Sequence, residues 1–232
     1  FVNLALVLGL GTDEQFLASA PATLLAHTKD VVFLDNGDVA RLTRASVTIW
    51  DRAGTVVTRP ATRLNWDPIQ AEKGGFKHFM AKEIHEQPQA IRDTFAGRVD
   101  FETGEIAFDT LVLEPAYLAS VARLQLLACG TSWHAALVGK FLIEEITRIP
   151  VEVDYASEYR YRNPIVDPSV LVVGVSQSGE TIDTVWAMEA AKEKGARLIA
   201  IANVPGSQAT RISSGVLYTH AGPEIGVAST QA

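Results

Sequence analysis

Cysteine is almost absent: Cys129 is the only one in 232 residues, so no disulfide can close within the chain. A stapled secreted scaffold is excluded, and a reducing cytoplasm is the expected compartment. Positive charge is scarce as well. Twenty Lys and Arg stand against 27 Asp and Glu, a formal net charge of −7, and the cations are scattered along the chain. Without a basic face to displace counterions from a phosphate backbone, no nucleic-acid partner is expected. Long apolar runs are missing too: the longest, residues 4–10 and 170–175, are under half of the roughly 20 residues a helix needs to cross a bilayer. No basic stretch precedes the first of them, so neither a targeting signal nor a membrane partner is expected. What is present is ordinary for a folded chain. With 47% hydrophobic and 20% charged residues, 17 Gly and 10 Pro, the composition allows a sizeable core and one large domain or up to two smaller ones. The chain opens at Phe1-Val2-Asn3-Leu4 in what reads as mid-strand, and closes at Ser229-Thr230-Gln231-Ala232 without a capping signal. Both ends predict a fragment.

Residues 1–60 read as short strands (4–10, 31–34, 39–42, 47–50 and 55–58) separated by turns at Asp35-Asn36-Gly37-Asp38 and Asp51-Arg52-Ala53-Gly54. Gly after a small or polar residue between β-branched runs is a hairpin signal, which predicts an antiparallel meander. Residues 13–25 are compatible with a short helix or an irregular loop. From Pro60 to Gly75 the period is lost, as in a connector between domains. Residues 79–95 carry apolar side chains near helical spacing, and Pro88 predicts a bent helix or two short ones. Residues 97–110 are turn-rich, and 115–121 read as a helical turn or two.

After residue 122 the pattern becomes strand, helix, strand. Strands are expected at 124–129, 151–155, 170–176, 197–203 and 216–220, with helices at 133–149 and 181–194. β-Branched runs alternating with helices imply an α/β fold, a doubly wound parallel five-stranded sheet. Ligands in such sheets sit beyond the carboxyl ends of the strands. Two of these ends carry hydroxyls and glycine directly before a helix: Cys129-Gly130-Thr131-Ser132 and Ser176-Gln177-Ser178-Gly179-Glu180-Thr181. The first N–H groups of a helix lack partners, so backbone donors and Ser/Thr oxygens together suit a phosphate without Lys or Arg. Ser132 alone serves equally well as an N-cap; three hydroxyls, an amide and a glycine within six residues exceed what a cap requires. A third stretch, residues 222–230, follows the fifth strand at the same sheet edge and is placed to close the pocket.

The remaining candidates are weaker. The five histidines show no ligand spacing, and no metal site is expected. Glu180 and Asp183 lie where they favour the dipole of the following helix. Trp133 and His134 read as packing or interface residues, Cys129 as a small apolar residue. The polar stretch Glu158-Tyr159-Arg160-Tyr161-Arg162 faces either a dimer partner or solvent.

These motifs, with Asn203-Val204-Pro205-Gly206-Ser207 and Glu224-Ile225-Gly226-Val227-Ala228-Ser229-Thr230, resemble the sugar-isomerase (SIS) domain of the glutamine:fructose-6-phosphate aminotransferase family, the glucosamine-6-phosphate synthases. Lys73-Gly74-Gly75-Phe76-Lys77-His78-Phe79-Met80 and Lys82-Glu83-Ile84-His85-Glu86-Gln87-Pro88 look like that family's hinge. The resemblance implies that 1–65 is the C-terminal part of an αββα glutaminase domain, that 66–95 is the hinge, and that 96–232 is a first SIS domain lacking its last helix, with apolar sheet surface left bare. It implies that Ser176, Gln177, Ser178 and Thr181 bind phosphate and that Thr131, Ser132, Val227 and Ser229 line the sugar. It further implies no cofactor, a homodimer formed through SIS domains, and a parent reaction of D-fructose 6-phosphate with L-glutamine giving D-glucosamine 6-phosphate and L-glutamate. The family's N-terminal Cys nucleophile and its downstream isomerase acid/base residues have no counterpart in this chain, so no catalytic residue is assigned and the segment alone is expected to be inactive. Gln231 stands where the family usually has lysine. The alternatives are a non-catalytic phosphosugar-sensing module and another SIS-type isomerase or deaminase; the β-rich segment at 1–60 argues against a regulator carrying a helix-turn-helix.

Overall fold

A computed structural model describes residues 6–66, 72–108, 110–111 and 113–232; the Asp67-Pro68 step and the start of the expected first strand lie outside these. The chain divides into two compact units, Phe1–Lys82 with Gly222–Ile225, and Glu83–Ala221 with Gly226–Ala232.

The first unit is built from two antiparallel sheets. Strands β1 (Val7–Leu10), β2 (Gln15–Ala18), β3 (Asp30–Phe33) and β7 (Ala61–Arg63) form one in the order β2-β1-β3-β7, and β4 (Val39–Leu42), β5 (Val47–Trp50) and β6 (Val56–Val57) form the other. The expected single meander is therefore wrong. The Asn36-Gly37 turn joins the two sheets instead of making a hairpin, because β3 pairs with β1 and β7 while β4 pairs with β5. A turn sequence fixes where the chain reverses, whereas burial selects the partner strand. Here Leu8 and Val32 of one sheet share a core with Ile49 of the other. The undecided stretch 13–25 contains β2, paired with β1 from Val7↔Ala18 to Leu10↔Gln15, and a 3-10 turn at Pro21–Leu24. The Asp51–Gly54 turn does close a hairpin, with Asp51 N–H donating to Thr55 O at 2.9 Å.

Helix α1 (Phe79–Phe95) runs unbroken through Pro88, where a bend or break was expected. Pro88 and Ile84, whose carbonyl loses its helical donor, both lie on the exposed side, so the lost bond falls outside the buried core.

The second unit holds the parallel sheet. Its strands are β8 (Arg123–Ala128), β9 (Val151–Tyr155), β10 (Val170–Val175), β11 (Arg197–Ala202) and β12 (Gly215–Tyr218), in the order β12-β11-β10-β8-β9. Alternate residues feed opposite faces, as the two-residue strand period requires. Leu127, Val170, Val172, Leu198 and Ala200 pack with α5 (Ile182–Glu193), whose Met188 and Ala191 are fully buried. Leu126, Leu171, Val173 and Ile199 pack on the other side, where α3 (Gly130–Thr147) contributes Ala136. Short helices α2 (Pro115–Ser120), α4 (Ala156–Tyr159) and α6 (Gln208–Ile212) complete the layers. α4 takes up part of the stretch read as a polar loop, and its Tyr159 is fully buried. Nor is the edge at β12 bare: Thr110 Oγ1 donates to Val216 O (2.7 Å), Val216 N–H donates to Thr110 O (3.1 Å), and Val216 is buried.

Candidate functional site

In sequence order the five parallel strands read 2-1-3-4-5 across the sheet, so successive connections leave β8 and β10 in opposite directions and open a crevice between their carboxyl ends. Ala128, the last residue of β8, is in register with Val175, the last of β10. The two hydroxyl-rich turns therefore start at the same level on adjacent strands.

After β10, Ser176–Thr181 folds into a compact turn whose polar groups engage one another. Gly179 N–H donates to Ser176 Oγ (3.1 Å), Glu180 N–H donates to Ser178 Oγ (3.1 Å), and the Ser176 and Thr181 hydroxyls meet at 3.0 Å. Gly179 has φ +64°, a left-handed conformation that L side chains rarely adopt. An added Cβ there would lie 2.0 Å from Ser207 Oγ. Thr181 is the N-cap of α5, yet its hydroxyl makes no capping bond; it is turned onto Ser176 instead. After β8 the N-cap of α3 is Cys129, again without a side-chain cap bond. Ser132 lies inside the first helical turn, which removes the N-cap reading of that residue.

Thr131, Ser132 and Ser229 line one cavity of about 460 Å³, together with Ala135, Val175, Thr230, Gln231 and Ala232 and with Ile84, Gln87 and Ile91 of α1. That size suits a small-molecule ligand. None of these lining side chains is charged. Ser176, Gln177, Ser178 and Thr181 form the adjoining turn and do not line the cavity, which reaches β10 only at Val175. Val227 stands apart, its side chain fully exposed. The wall contributed by α1 has no local signal: the spacing at 79–95 predicts helix within the hinge, and nothing in it points Ile84, Gln87 and Ile91 to this cavity. α1 also holds the closing segment: Gln87 Nε2 donates to Thr230 O, and Gly226 N–H donates to Glu83 Oε1 at 2.9 Å. Gln231 directs its amide to Ala221 O at 2.7 Å. Trp133, next to Ser132, stacks on Tyr155 with ring centres 4.5 Å apart.

A second layer supports the turn. Gln177 O accepts from Asn203 N–H (2.9 Å) and Gly179 O from Ala209 N–H (2.9 Å). Asn203 Oδ1 in turn accepts from Ala221 N–H (2.9 Å) and Thr219 Oγ1 (3.2 Å), which ties the turn to the chain beyond β12. Glu180 does not serve α5 as expected. Its Oε1 accepts from Gln208 N–H at 2.9 Å and its Oε2 from Gln208 Nε2 at 2.8 Å, at the start of α6. Burial pushes the Glu180 carboxyl above its ordinary range, and the Gln208 donors and Arg211 oppose that shift.

The family profile described as SIS domain matches residues 117–232. The chain is 50% identical over 227 residues to a protein of Symbiobacterium thermophilum named glutamine–fructose-6-phosphate aminotransferase [isomerizing], covering 98% of this chain and 37% of that one. A protein of the same name from Thermus thermophilus is 51% identical over 227 residues, with the same coverage of both chains. This chain thus spans 37% of the length of the curated relatives it matches. Among solved structures, the C-terminal domain of glucosamine-fructose-6-phosphate aminotransferase from Francisella tularensis aligns with a TM-score of 0.63 and 39% identity, over 69% of this chain and 45% of that one. A glucosamine-6-phosphate deaminase from Thermotoga maritima shares the fold at 20% identity, with a TM-score of 0.52 over 66% and 43% of the two chains.

Proposed function

This chain belongs to the SIS domain family, and from that premise we propose that it forms the sugar-phosphate-binding part of an amidotransferase making D-glucosamine 6-phosphate and L-glutamate from D-fructose 6-phosphate and L-glutamine. The observation that carries this reading is the in-register ending of β8 and β10, which starts two hydroxyl-bearing turns, each leading into a helix, at the same level on adjacent strands. The names borne by relatives about half identical to it support the same reaction. In this reading Ser176, Gln177, Ser178 and Thr181 receive the phosphate, with Ser176 and Thr181 exchanging the bond between their hydroxyls for bonds to its oxygens. Thr131, Ser132 and Ser229 hold the sugar hydroxyls; Val227, assigned to the sugar with them, stands exposed outside the cavity. Hydrogen bonds to a charged acceptor contribute about 1.5–3 kcal/mol each, so a few of them hold a dianion without a cationic side chain. Among the described cavity-lining residues none is an acid or a base, so the role assigned here is binding and orientation. Proton transfer and ammonia release fall to other parts of the parent enzyme. Residues 1–65 are read as the end of its glutaminase domain, 66–95 as hinge and 96–232 as the first SIS domain, with the cytoplasm as its compartment.

The reading is tested by Ser178→Ala and Thr181→Ala in the full-length gene product. Each is expected to raise the KM for fructose 6-phosphate about tenfold or more, equivalent to roughly 1.4 kcal/mol, with little change in kcat. Unchanged KM in both variants would remove the phosphate assignment.

We also read the assembly as a homodimer. Val138, Phe141, Leu142 and Ile146 of α3 are all exposed, an apolar row of the kind that a second copy covers. Phe141→Glu should convert a dimer to monomer in sedimentation at micromolar concentration; an unshifted dimer would place the interface elsewhere.

A further inference from the structure

A carboxylate beside an anion-binding turn calls for a physical account, because Glu180 directly follows Gly179 and its charge opposes the entry of a dianion. Its position provides the account. Both oxygens are committed to Gln208, one to its backbone N–H and one to its side-chain amide. Gln208 is itself buried, at 8% exposure. The same segment grips the turn at a second point, through Ala209 N–H on Gly179 O, and the fully buried Ser207 packs its hydroxyl against Gly179. Both oxygens of the carboxylate are therefore held at the start of α6, whereas the Ser176 and Thr181 hydroxyls engage each other.

Building on the phosphate reading above, we propose that Glu180 and Gln208 are a positioning pair. Their two-pronged contact locks the Ser176–Thr181 turn to α6 and keeps the Glu180 charge out of the space that the phosphate enters. The pair touches no substrate atom. Its effect is on the spacing of the turn's donors, and so on affinity for the phosphorylated ligand.

The experiment is steady-state kinetics of the full-length gene product with fructose 6-phosphate as the varied substrate, and with inorganic phosphate as a competing probe. Gln208→Leu and Glu180→Ala should each raise the fructose 6-phosphate KM, and the inhibition constant for phosphate, about tenfold, with kcat changed less than threefold. Gln208→Glu, which sets two carboxylates together, should be worse than either. The exchanged pair Glu180→Gln/Gln208→Glu rebuilds one amide-to-carboxylate contact and keeps the backbone acceptor, so it should return KM to within about threefold of the unaltered protein. Thermal midpoints measured alongside separate folding from positioning. If the exchanged pair recovers the midpoint but not KM, or if Gln208→Leu leaves KM unchanged while Ser178→Ala raises it, the positioning role is overturned and the phosphate reading stands. If Ser178→Ala and Thr181→Ala have no effect either, both fall together.

Discussion

Valine in place of Gly179 is expected to weaken saturation by fructose 6-phosphate a hundredfold or more in the full-length gene product, equivalent to about 2.7 kcal/mol. Two costs combine. At φ +64° a β-branched residue is held in a conformation that costs on the order of 1–3 kcal/mol. Its Cβ would also fall 2.0 Å from Ser207 Oγ and 2.7 Å from Ser207 Cβ, and Ser207, with no exposed surface, has no room to retreat. The turn must then shift, and with it the Ser176 and Ser178 hydroxyls. Gly179→Ala combined with Ser207→Gly removes the collision but not the backbone strain, so it should recover only part of the loss. Kinetics and urea midpoints for the two variants decide the matter, and a normal KM in Gly179→Val would refute the geometry described for this turn.

Gly174→Val should cause the largest loss of stability in the second unit. Gly174 lies in the central strand β10, in register with Leu127 on one side and Ala200 on the other, so the strand has little freedom to yield. A Cβ at this position would meet Met188 of α5 at 2.1 Å from Sδ, 2.8 Å from Cε and 3.0 Å from Cγ. Met188 is fully buried. Overpacking of this kind typically costs about 1–3 kcal/mol, and valine in so close a contact belongs at or above the upper end. For a unit of this size each kcal/mol lowers the melting midpoint by roughly 2–4 °C. Gly174→Val/Met188→Ala opens space for the new side chain and should be more stable than the sum of its single variants. Strict additivity would show that α5 does not press on β10 at this point.

Much of the second unit is legible in sequence because its signals are local. β-Branched runs such as Val170–Val175 end at Gly and Ser, and the five expected strands coincide with β8 to β12 within about two residues. The turn at Ser176–Thr181 stood out for the same reason, as hydroxyls and glycine gathered between a strand and a helix. The misses were decided by distant partners. Gln15–Ala18 has no strong strand pattern of its own and becomes β2 only by pairing with β1. The Asn36-Gly37 turn reads as a hairpin until burial assigns β4 to β5. Ile84, Gln87 and Ile91 fall in a stretch that reads as helix within the hinge, and only the fold brings them beside Thr131 and Ser229. Glu180 at a helix start suggests a dipole partner; that its carboxylate turns to Gln208, 28 positions further on, no local rule could reveal.

The paired ending of β8 and β10 has a consequence for how this protein tolerates change in length. Each residue advances a strand by about 3.3 Å and reverses the side its neighbours face. A one-residue deletion inside either strand would offset the two hydroxyl-bearing tips by about the length of a hydrogen bond and turn the core residues outward. Insertions in the chain that returns from α3 to β9, or from α4 to β10, leave the tips level. Over evolutionary time, variation in length is tolerable in those returning connections and not along the two strands or in the turns at their tips.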